Sequence, residues 1–99
     1  MIITGGENVY PGRVAELLSA HHSIHQVEVV GVPDPEWGQT LVAVAVADDS
    51  DEQHIEQWAQ EHLARHEIPK RWVFVSSIPQ QPGGKVDRLA VQDIAGASL

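Results

Sequence analysis

The chain has 99 residues, of which 42% are hydrophobic, and a formal net charge of −8 at pH 7. This length suits a single domain, 1–99, with one core, and the acidic balance excludes nucleic acid or an anionic membrane as the main partner. Without cysteine the chain forms no disulfide and does no thiol chemistry. Its longest apolar run, residues 41–47, is too short to span a bilayer. With no signal peptide visible, a cytoplasmic protein is predicted.

The first third of the chain predicts a strand that enters a tight turn, followed by a helix. Residues 1–4 are a β-branched run that enters a tight turn at Gly5 and Gly6, which is typical of a short β-hairpin. Pro11 suits the first turn of a helix that ends near residues 21–22. The apolar stripe of this helix consists of Val14, Leu17 and Leu18.

The middle of the chain predicts two adjacent strands. Residues 25–32 form the first, and residues 33–38 contain two prolines and a glycine, which indicate a loop. Residues 39–47 are almost wholly apolar, which predicts a central strand that is buried on both faces.

The last half predicts a helix, a strand and a second helix. Residues 48–52, rich in carboxylates and containing Ser50, are expected to cap a helix that Pro69 ends. The strand covers residues 71–75, and the final helix covers residues 86–95 with Asp87 near its cap. The buried face of the first of these helices is predicted to be Ile55, Trp58, Ala59, His62 and Leu63, and Trp72 of the strand is also expected in the core. This order predicts an α+β fold, with a small mixed β-sheet flanked by helices and preceded by the hairpin.

Six histidines raise the question of a metal site, and we predict none. His62 and His66 are four residues apart on a helix, but no third ligand has a fixed spacing to them. Residues 21–25 form a helix-to-strand turn in which histidine is common. Residues 48–52 lack the glycine and the distal glutamate of a calcium loop.

One loop carries a lysine that two roles fit. "PQQPGGKVDR" at residues 79–88 places Lys85 directly after Gly83 and Gly84, between a predicted strand and a predicted helix. A lysine held in this way can be a mobile catalytic cation or a solvated turn residue, and the spacing alone favours the turn.

Three ordered stretches change that balance. They are "MIITGGENVYP" at residues 1–11, "VVGVPDPEWGQTLVAVAV" at residues 29–46 and "IPKRWVFVSSIPQQPGGKVDR" at residues 68–88. Together they resemble the C-terminal domain of acyl-CoA synthetases, which belong to the acyl-adenylate-forming superfamily. The resemblance covers the chain from Met1 to about Val91, and the Glu-Asn-Val-Tyr-Pro that follows the glycine pair favours the coenzyme A branch over peptide-synthetase adenylation domains.

The resemblance implies an ATP-dependent reaction in two halves. A carboxylic acid attacks the α-phosphate of ATP to give an acyl-adenylate and pyrophosphate, and the thiol of coenzyme A then displaces AMP. An N-terminal domain, absent from this chain, is expected to bind ATP, Mg²⁺ and the acid. The C-terminal domain is expected to swing between two poses. By this resemblance Lys85 is the catalytic lysine of adenylation, and Gly83 and Gly84 support its loop.

The same resemblance gives the hairpin a role in the second half-reaction. Gly5 and Gly6 are expected to lie beside the tunnel for the pantetheine arm, where a side chain would block passage. Trp37 matches a position where some relatives place an aromatic near the adenine of coenzyme A, and an anchor of its own loop is an equal alternative. Glu7 is expected to support the fold or the contact between domains.

Positive charge near Pro69 departs from the family pattern. A basic residue often precedes the segment's Ile-Pro, whereas this chain has Glu67, which we expect to weaken any phosphate site there. Lys70 and Arg71 remain the candidate phosphate ligands, ahead of Arg65.

We therefore expect the swinging domain of an acyl-CoA synthetase that acts on a fatty, aromatic or o-succinylbenzoate-type acid, and we expect the domain alone to be inactive. Three alternatives stay open: a stand-alone binding or regulatory module derived from such an enzyme, a metal-binding domain that uses the histidines, and a fragment of a peptide-synthetase adenylation domain.

Overall fold

A computed structural model describes residues 1–97, without the side chain of Asp49. The elements, in chain order, are β1 (Ile2–Thr4), β2 (Glu7–Val9), α1 (Pro11–Leu18), β3 (Ile24–Asp34), β4 (Gly38–Ala47), a 3₁₀ turn (Asp49–Asp51), α2 (Glu52–His62), a second 3₁₀ turn (Arg65–Glu67), β5 (Arg71–Phe74) and α3 (Arg88–Ala97).

The predicted hairpin at the start of the chain is confirmed. β1 pairs with β2 in antiparallel register, and Thr4 lies opposite Glu7. Gly5 and Gly6 make the turn with φ of +56° and +85°, a conformation that L side chains adopt only at a steric cost. α1 then begins at Pro11, whose missing N–H is no loss in a first helical turn.

The main sheet has three strands in the order β3-β4-β5. β3 and β4 are antiparallel, and β4 and β5 are parallel, so the sheet is mixed, as predicted. β4 is the central strand, and all of residues 40–45 are buried because the sheet is covered on both faces. The α+β class is confirmed.

Alternate residues of β4 face two separate hydrophobic clusters, because side chains alternate across a strand. On the first face, Leu41, Ala43 and Ala45 pack with buried residues of β2, α1 and α2. On the second face, Val42 and Val44 pack with buried residues of the C-terminal segment. The partners on this second face are Ile78, Val91 and Ala95.

The predicted loop at residues 33–38 is shorter than expected. β3 continues to Asp34 and β4 resumes at Gly38, and these two residues are paired across the ladder. Pro33 lies in the strand because β3 is an edge strand, where one row of backbone positions needs no donor. The connection is therefore only three residues long, which places Trp37 at its end.

The helix that follows β4 ends earlier than predicted. α2 ends at His62, and Leu63 has extended backbone (φ −105°, ψ 151°) rather than helical backbone, so Pro69 does not end the helix. The second 3₁₀ turn lies between the end of α2 and Pro69. His62 is exposed and stacks on Trp58 with ring centroids 4.4 Å apart, so its place on the buried face was wrong.

Two more details of the core and caps differ from expectation. Trp58 and Trp72 are half-buried at the margin of the first cluster, because rings of this size rarely fit wholly inside a small core. No side chain caps α2 through a hydrogen bond; Asp51 instead accepts one from Ser23, and the side chain of Asp49 lies outside the described residues. The cap predicted for α3 is confirmed, since Asp87 Oδ1 accepts the N–H of Ala90 at 3.1 Å.

A buried histidine joins the turn after α1 to α2. His21 is 3% exposed, its Nδ1 accepts the N–H of Ser23 at 3.0 Å, and its Nε2 lies 3.1 Å from Nδ1 of His54. Burial lowers the pKa of His21, and His22 and His54 lower it further, against the opposing charge of Asp51. A proton on Nδ1 would also remove the acceptor for Ser23, so the fold holds His21 neutral.

This arrangement predicts that the chain loses stability in mild acid. Because the pKa of His21 is lower folded than unfolded, the unfolded state binds the proton first as pH falls below about 6.5. Each such proton changes the free energy of unfolding by at most about 1.4 kcal/mol per pH unit. We expect the thermal midpoint to fall between pH 7.5 and 5.5, and His21→Gln to reduce that fall. His25→Gln, at an exposed position, should leave it in place; equal slopes for both variants would contradict this role.

Candidate functional site

A cleft of about 450 Å³ lies between the hairpin and the second 3₁₀ turn. We call it the hairpin cleft. It is lined by Thr4, Gly5, Glu7, Trp37, Leu41, Arg65, His66, Ile68 and Lys70. The structure therefore brings together three residues that the sequence had assigned to one ligand, Gly5, Trp37 and Lys70. Arg71 does not line it, and neither does Gly6, beside which a Cβ would meet open space.

Trp37 is held against the hairpin by its backbone and by one edge of its indole ring. The N–H of Gly5 donates to the carbonyl of Trp37 at 3.0 Å, and a Cβ at Gly5 would lie 2.6 Å from Cε3 of the indole. Only glycine allows this contact at a φ of +56°. Trp37 nevertheless stays 42% exposed. It anchors its turn and still presents apolar surface to the cleft.

Asp34 organises the turn that carries Trp37. Its Oδ1 accepts the N–H groups of Trp37 at 2.9 Å and of Glu36 at 2.8 Å. These two hydrogen bonds lower the pKa of Asp34, and the nearby charges of Lys70 and Arg71 lower it further. The two cations predicted to bind phosphate thus lie close to a carboxylate of the same surface.

Lys70 covers the indole. Its ammonium lies 3.7 Å from the ring centroid of Trp37, a cation–π contact that is worth about 0.5–1 kcal/mol at an exposed site. The backbone of Lys70 is also fixed, because its N–H donates to the carbonyl of Leu41 at 3.0 Å. A flexible cation and an aromatic surface therefore share one end of the hairpin cleft.

The second 3₁₀ turn supplies two cleft residues that sequence reasoning had placed lower or missed, Arg65 and His66. The sequence signal for this turn was Pro69, which lies just beyond a 3₁₀ turn and not at the end of a helix. Glu67, between them and Ile68, does not line the cleft: it is 8% exposed, and its carboxylate accepts Arg13 Nε at 3.1 Å. Glu67 therefore does not face a ligand in the cleft directly, and its predicted weakening of a phosphate site there stays a prediction.

Lys85 lies on a narrow, hairpin-like loop. The N–H of Gly84 donates to Gln81 at 2.8 Å, the N–H of Gln81 donates to Lys85 at 2.7 Å, and Gln80 bridges Val86. Gly84 has a φ of +89°, which explains its glycine, whereas Gly83 has open space around it and no positive φ. Lys85 is exposed, and among residues 1–97 its ammonium takes part in no ion pair.

The Lys85 loop and the hairpin cleft lie on opposite faces of the main sheet. Leu41 lines the cleft and belongs to the first cluster. Val86, next to Lys85, packs against the second cluster, which contains Val42 and Val44. Because neighbouring residues of β4 point to opposite sides, the two sites cannot contact one small ligand in the same pose.

The described residues form neither a metal-binding cluster nor a membrane-spanning helix. Within residues 1–97, no group of three or more histidine and carboxylate side chains is placed to hold a metal ion. No described helix is both long enough and apolar enough to cross a membrane.

Comparison with known proteins places the chain in a family. The family model for the AMP-binding enzyme C-terminal domain matches residues 13–85. The chain belongs to this family. Long-chain-fatty-acid–CoA ligase FadD13 of Mycobacterium tuberculosis is 36% identical over 101 aligned residues, which cover 100% of this chain and 20% of the ligase. A 2-succinylbenzoate–CoA ligase of Listeria monocytogenes is 36% identical over 89 residues, covering 89% and 19%.

A solved structure shows the same fold. A Mycobacterium tuberculosis fatty acyl CoA synthetase superposes with a TM-score of 0.88 at 36% identity, over 99% of this chain and 20% of that protein. These three relatives are named as acyl-CoA ligases or synthetases, and this chain spans about one fifth of their length. The resemblance that the three sequence stretches indicated is confirmed.

Proposed function

We propose that this chain is the mobile C-terminal domain of an ATP-dependent, AMP-forming acyl-CoA synthetase, and that its two faces serve the two half-reactions. The observation that carries the proposal is the placement of the Lys85 loop and the hairpin cleft on opposite sides of one sheet. A domain of this shape must turn over to bring each site to one active centre. That requirement matches a reaction with two successive steps.

Lys85 is assigned to adenylation. As the carboxylate of the acid attacks the α-phosphate, negative charge grows on the phosphoryl oxygens and on the leaving pyrophosphate. The exposed ammonium on a long stem can neutralise this charge and then withdraw with its loop. The open space around Gly83 and Gly84 allows another backbone to approach the loop closely.

The hairpin cleft is assigned to coenzyme A. Its indole is 42% exposed and offers a surface for a purine that displaces the Lys70 ammonium from the ring, and such stacking is worth about 1–3 kcal/mol by analogy with base stacking. Lys70 and Arg65 offer charge to phosphates, and Arg71 lies near the same turn. Gly5 lets the indole of Trp37 lie against the hairpin backbone and so shapes the cleft for the thin pantetheine arm, whereas Gly6 lies outside the cleft. Thioester formation then releases AMP.

The remaining parts of the reaction belong to the rest of the protein. A larger N-terminal domain is the partner that binds ATP, its Mg²⁺ and the carboxylic acid, in keeping with the one fifth of its relatives' length that this chain spans. The acid is a fatty, aromatic or o-succinylbenzoate-type acid, a range that includes the acids for which these two relatives are named. The site of action is the cytoplasm, where ATP and coenzyme A are supplied.

The test is an assay of the full-length protein that contains this chain. Purified protein, ATP and Mg²⁺ are incubated with a panel of fatty and aromatic acids, with and without coenzyme A, and AMP and acyl-CoA are measured. We expect AMP and acyl-CoA in equal amounts with at least one acid. Release of ADP, or transfer only to a carrier protein, would overturn the proposal, and so would the absence of any reaction.

A further inference from the structure

We infer that Arg13 and Glu67 form a positioning pair that joins the two walls of the hairpin cleft and sets the affinity of the cleft for coenzyme A. This inference rests on the proposed function. Neither residue is a cleft residue, and neither is assigned to the chemistry. Each acts through the backbone that it holds in place.

The first wall of the cleft is the hairpin, which leads directly into the helix that carries Arg13. The hairpin ends at Val9, and α1 begins two residues later at Pro11, so Arg13 lies in the first turn of a helix that extends directly from β2. Val14 and Leu18 bury this helix in the first cluster, which fixes its position against the sheet. The hairpin therefore continues, through Tyr10, into a helix that is packed on the sheet.

The second wall of the cleft is the second 3₁₀ turn, which contains Glu67. Its carboxylate has two partners: Oε2 accepts Arg13 Nε at 3.1 Å, and Oε1 accepts the backbone N–H of Ala64 at 3.3 Å. The N–H of Glu67 also donates to the carbonyl of Ala64 at 2.8 Å. The carboxylate thus closes the 3₁₀ turn and ties it to α1 at once. Arg65 and His66, held within that turn, line the cleft.

Because the Glu67 carboxylate is buried, its position depends on the charge of its partner, Arg13. The side chain of Glu67 is 10% exposed and that of Arg13 is 64% exposed, so the carboxylate depends on the guanidinium far more than the reverse. A buried carboxylate that loses its cation has few ways to be satisfied. A lysine at position 67 would instead face Arg13 with like charge, and the turn would move away from α1.

The experiment exchanges the charges in the full-length protein. Glu67→Lys is compared with Arg13→Glu, with the double exchange and with Glu67→Gln, which keeps an acceptor for Ala64 but loses the charge. We expect Glu67→Lys to raise KM for coenzyme A about tenfold while acid-dependent pyrophosphate exchange stays within twofold. The double exchange restores the ion pair but not the acceptor for the Ala64 N–H, so it should recover a part of the lost affinity, and Glu67→Gln should give an intermediate KM.

Three results would overturn the inference. They are an unchanged KM in Glu67→Lys, an equal loss of both half-reactions, and a double exchange that recovers nothing. If Glu67→Lys does not fold, Glu67→Gln carries the test, and an unchanged KM for coenzyme A in that variant overturns the inference. A parent protein that forms acyl-CoA while these variants keep its KM would refute the pair and leave the proposed function standing. A parent without coenzyme A-dependent activity would refute both.

Discussion

Lys85→Met is expected to lower acid-dependent pyrophosphate exchange of the full-length protein by about 10²–10³-fold. Removal of one electrostatic donor from a developing negative charge costs about that much in other enzymes. Thioester formation from supplied acyl-adenylate should change by less than threefold, because the cleft that we assign to coenzyme A lies on the other face of the sheet. Both rates are measured on the same preparation.

Two controls separate charge from structure in this experiment. Arg88→Met removes another exposed cation three residues further on, at the start of α3, and should leave both half-reactions near their original rates. Lys85→Arg keeps the charge on a different geometry and should retain a part of the exchange activity. If Lys85→Met reduces both half-reactions equally, Lys85 has only a structural role.

Gly5→Ala is expected to slow the thioester half-reaction by at least tenfold and to leave pyrophosphate exchange within threefold. The added Cβ would lie 2.6 Å from the indole of Trp37, so the ring must move out of its place between Gly5 and Lys70. The positive φ of Gly5 adds about 1–2 kcal/mol of backbone strain. The measurement is KM and kcat for coenzyme A.

Gly6→Ala is the matched control for this change. Gly6 also has a positive φ, of +85°, so alanine there pays backbone strain, but its Cβ meets nothing within 4 Å. We therefore expect Gly6→Ala to destabilise the domain to a similar or greater extent while KM for coenzyme A rises less. Equal rises in KM for the two variants would mean that strain, and not displacement of the indole, disturbs the cleft.

The sequence predicted the elements of the fold correctly where a local pattern of residues was enough to specify them. The apolar run at residues 39–47 has only one stable place, in the centre of a sheet covered on both faces, and the structure puts β4 there. Glycines at the hairpin and the aspartate at the cap of α3 were read correctly, because each satisfies a local backbone need. Sequence and structure agree on these local features.

The sequence did not predict features that depend on partners far along the chain. Glu67 appeared to be an unfavourable surface charge, and only the fold shows Arg13 beside it, 54 residues away. α2 was drawn too long because its apolar spacing continues to Leu63, whose side chain stays buried after the backbone leaves the helix. The contact between Trp37, Gly5 and Lys70 joins three separate segments, so no local pattern could reveal it.

The most direct test of the account is the ratio of the two half-reaction rates in Lys85→Met and in Gly5→Ala, measured side by side in the full-length protein. If the two faces of the domain serve separate steps, the ratio of thioester formation to adenylation rises in Lys85→Met and falls in Gly5→Ala. If the ratio stays the same in both variants, or moves in the same direction, the division of labour between the two faces is wrong.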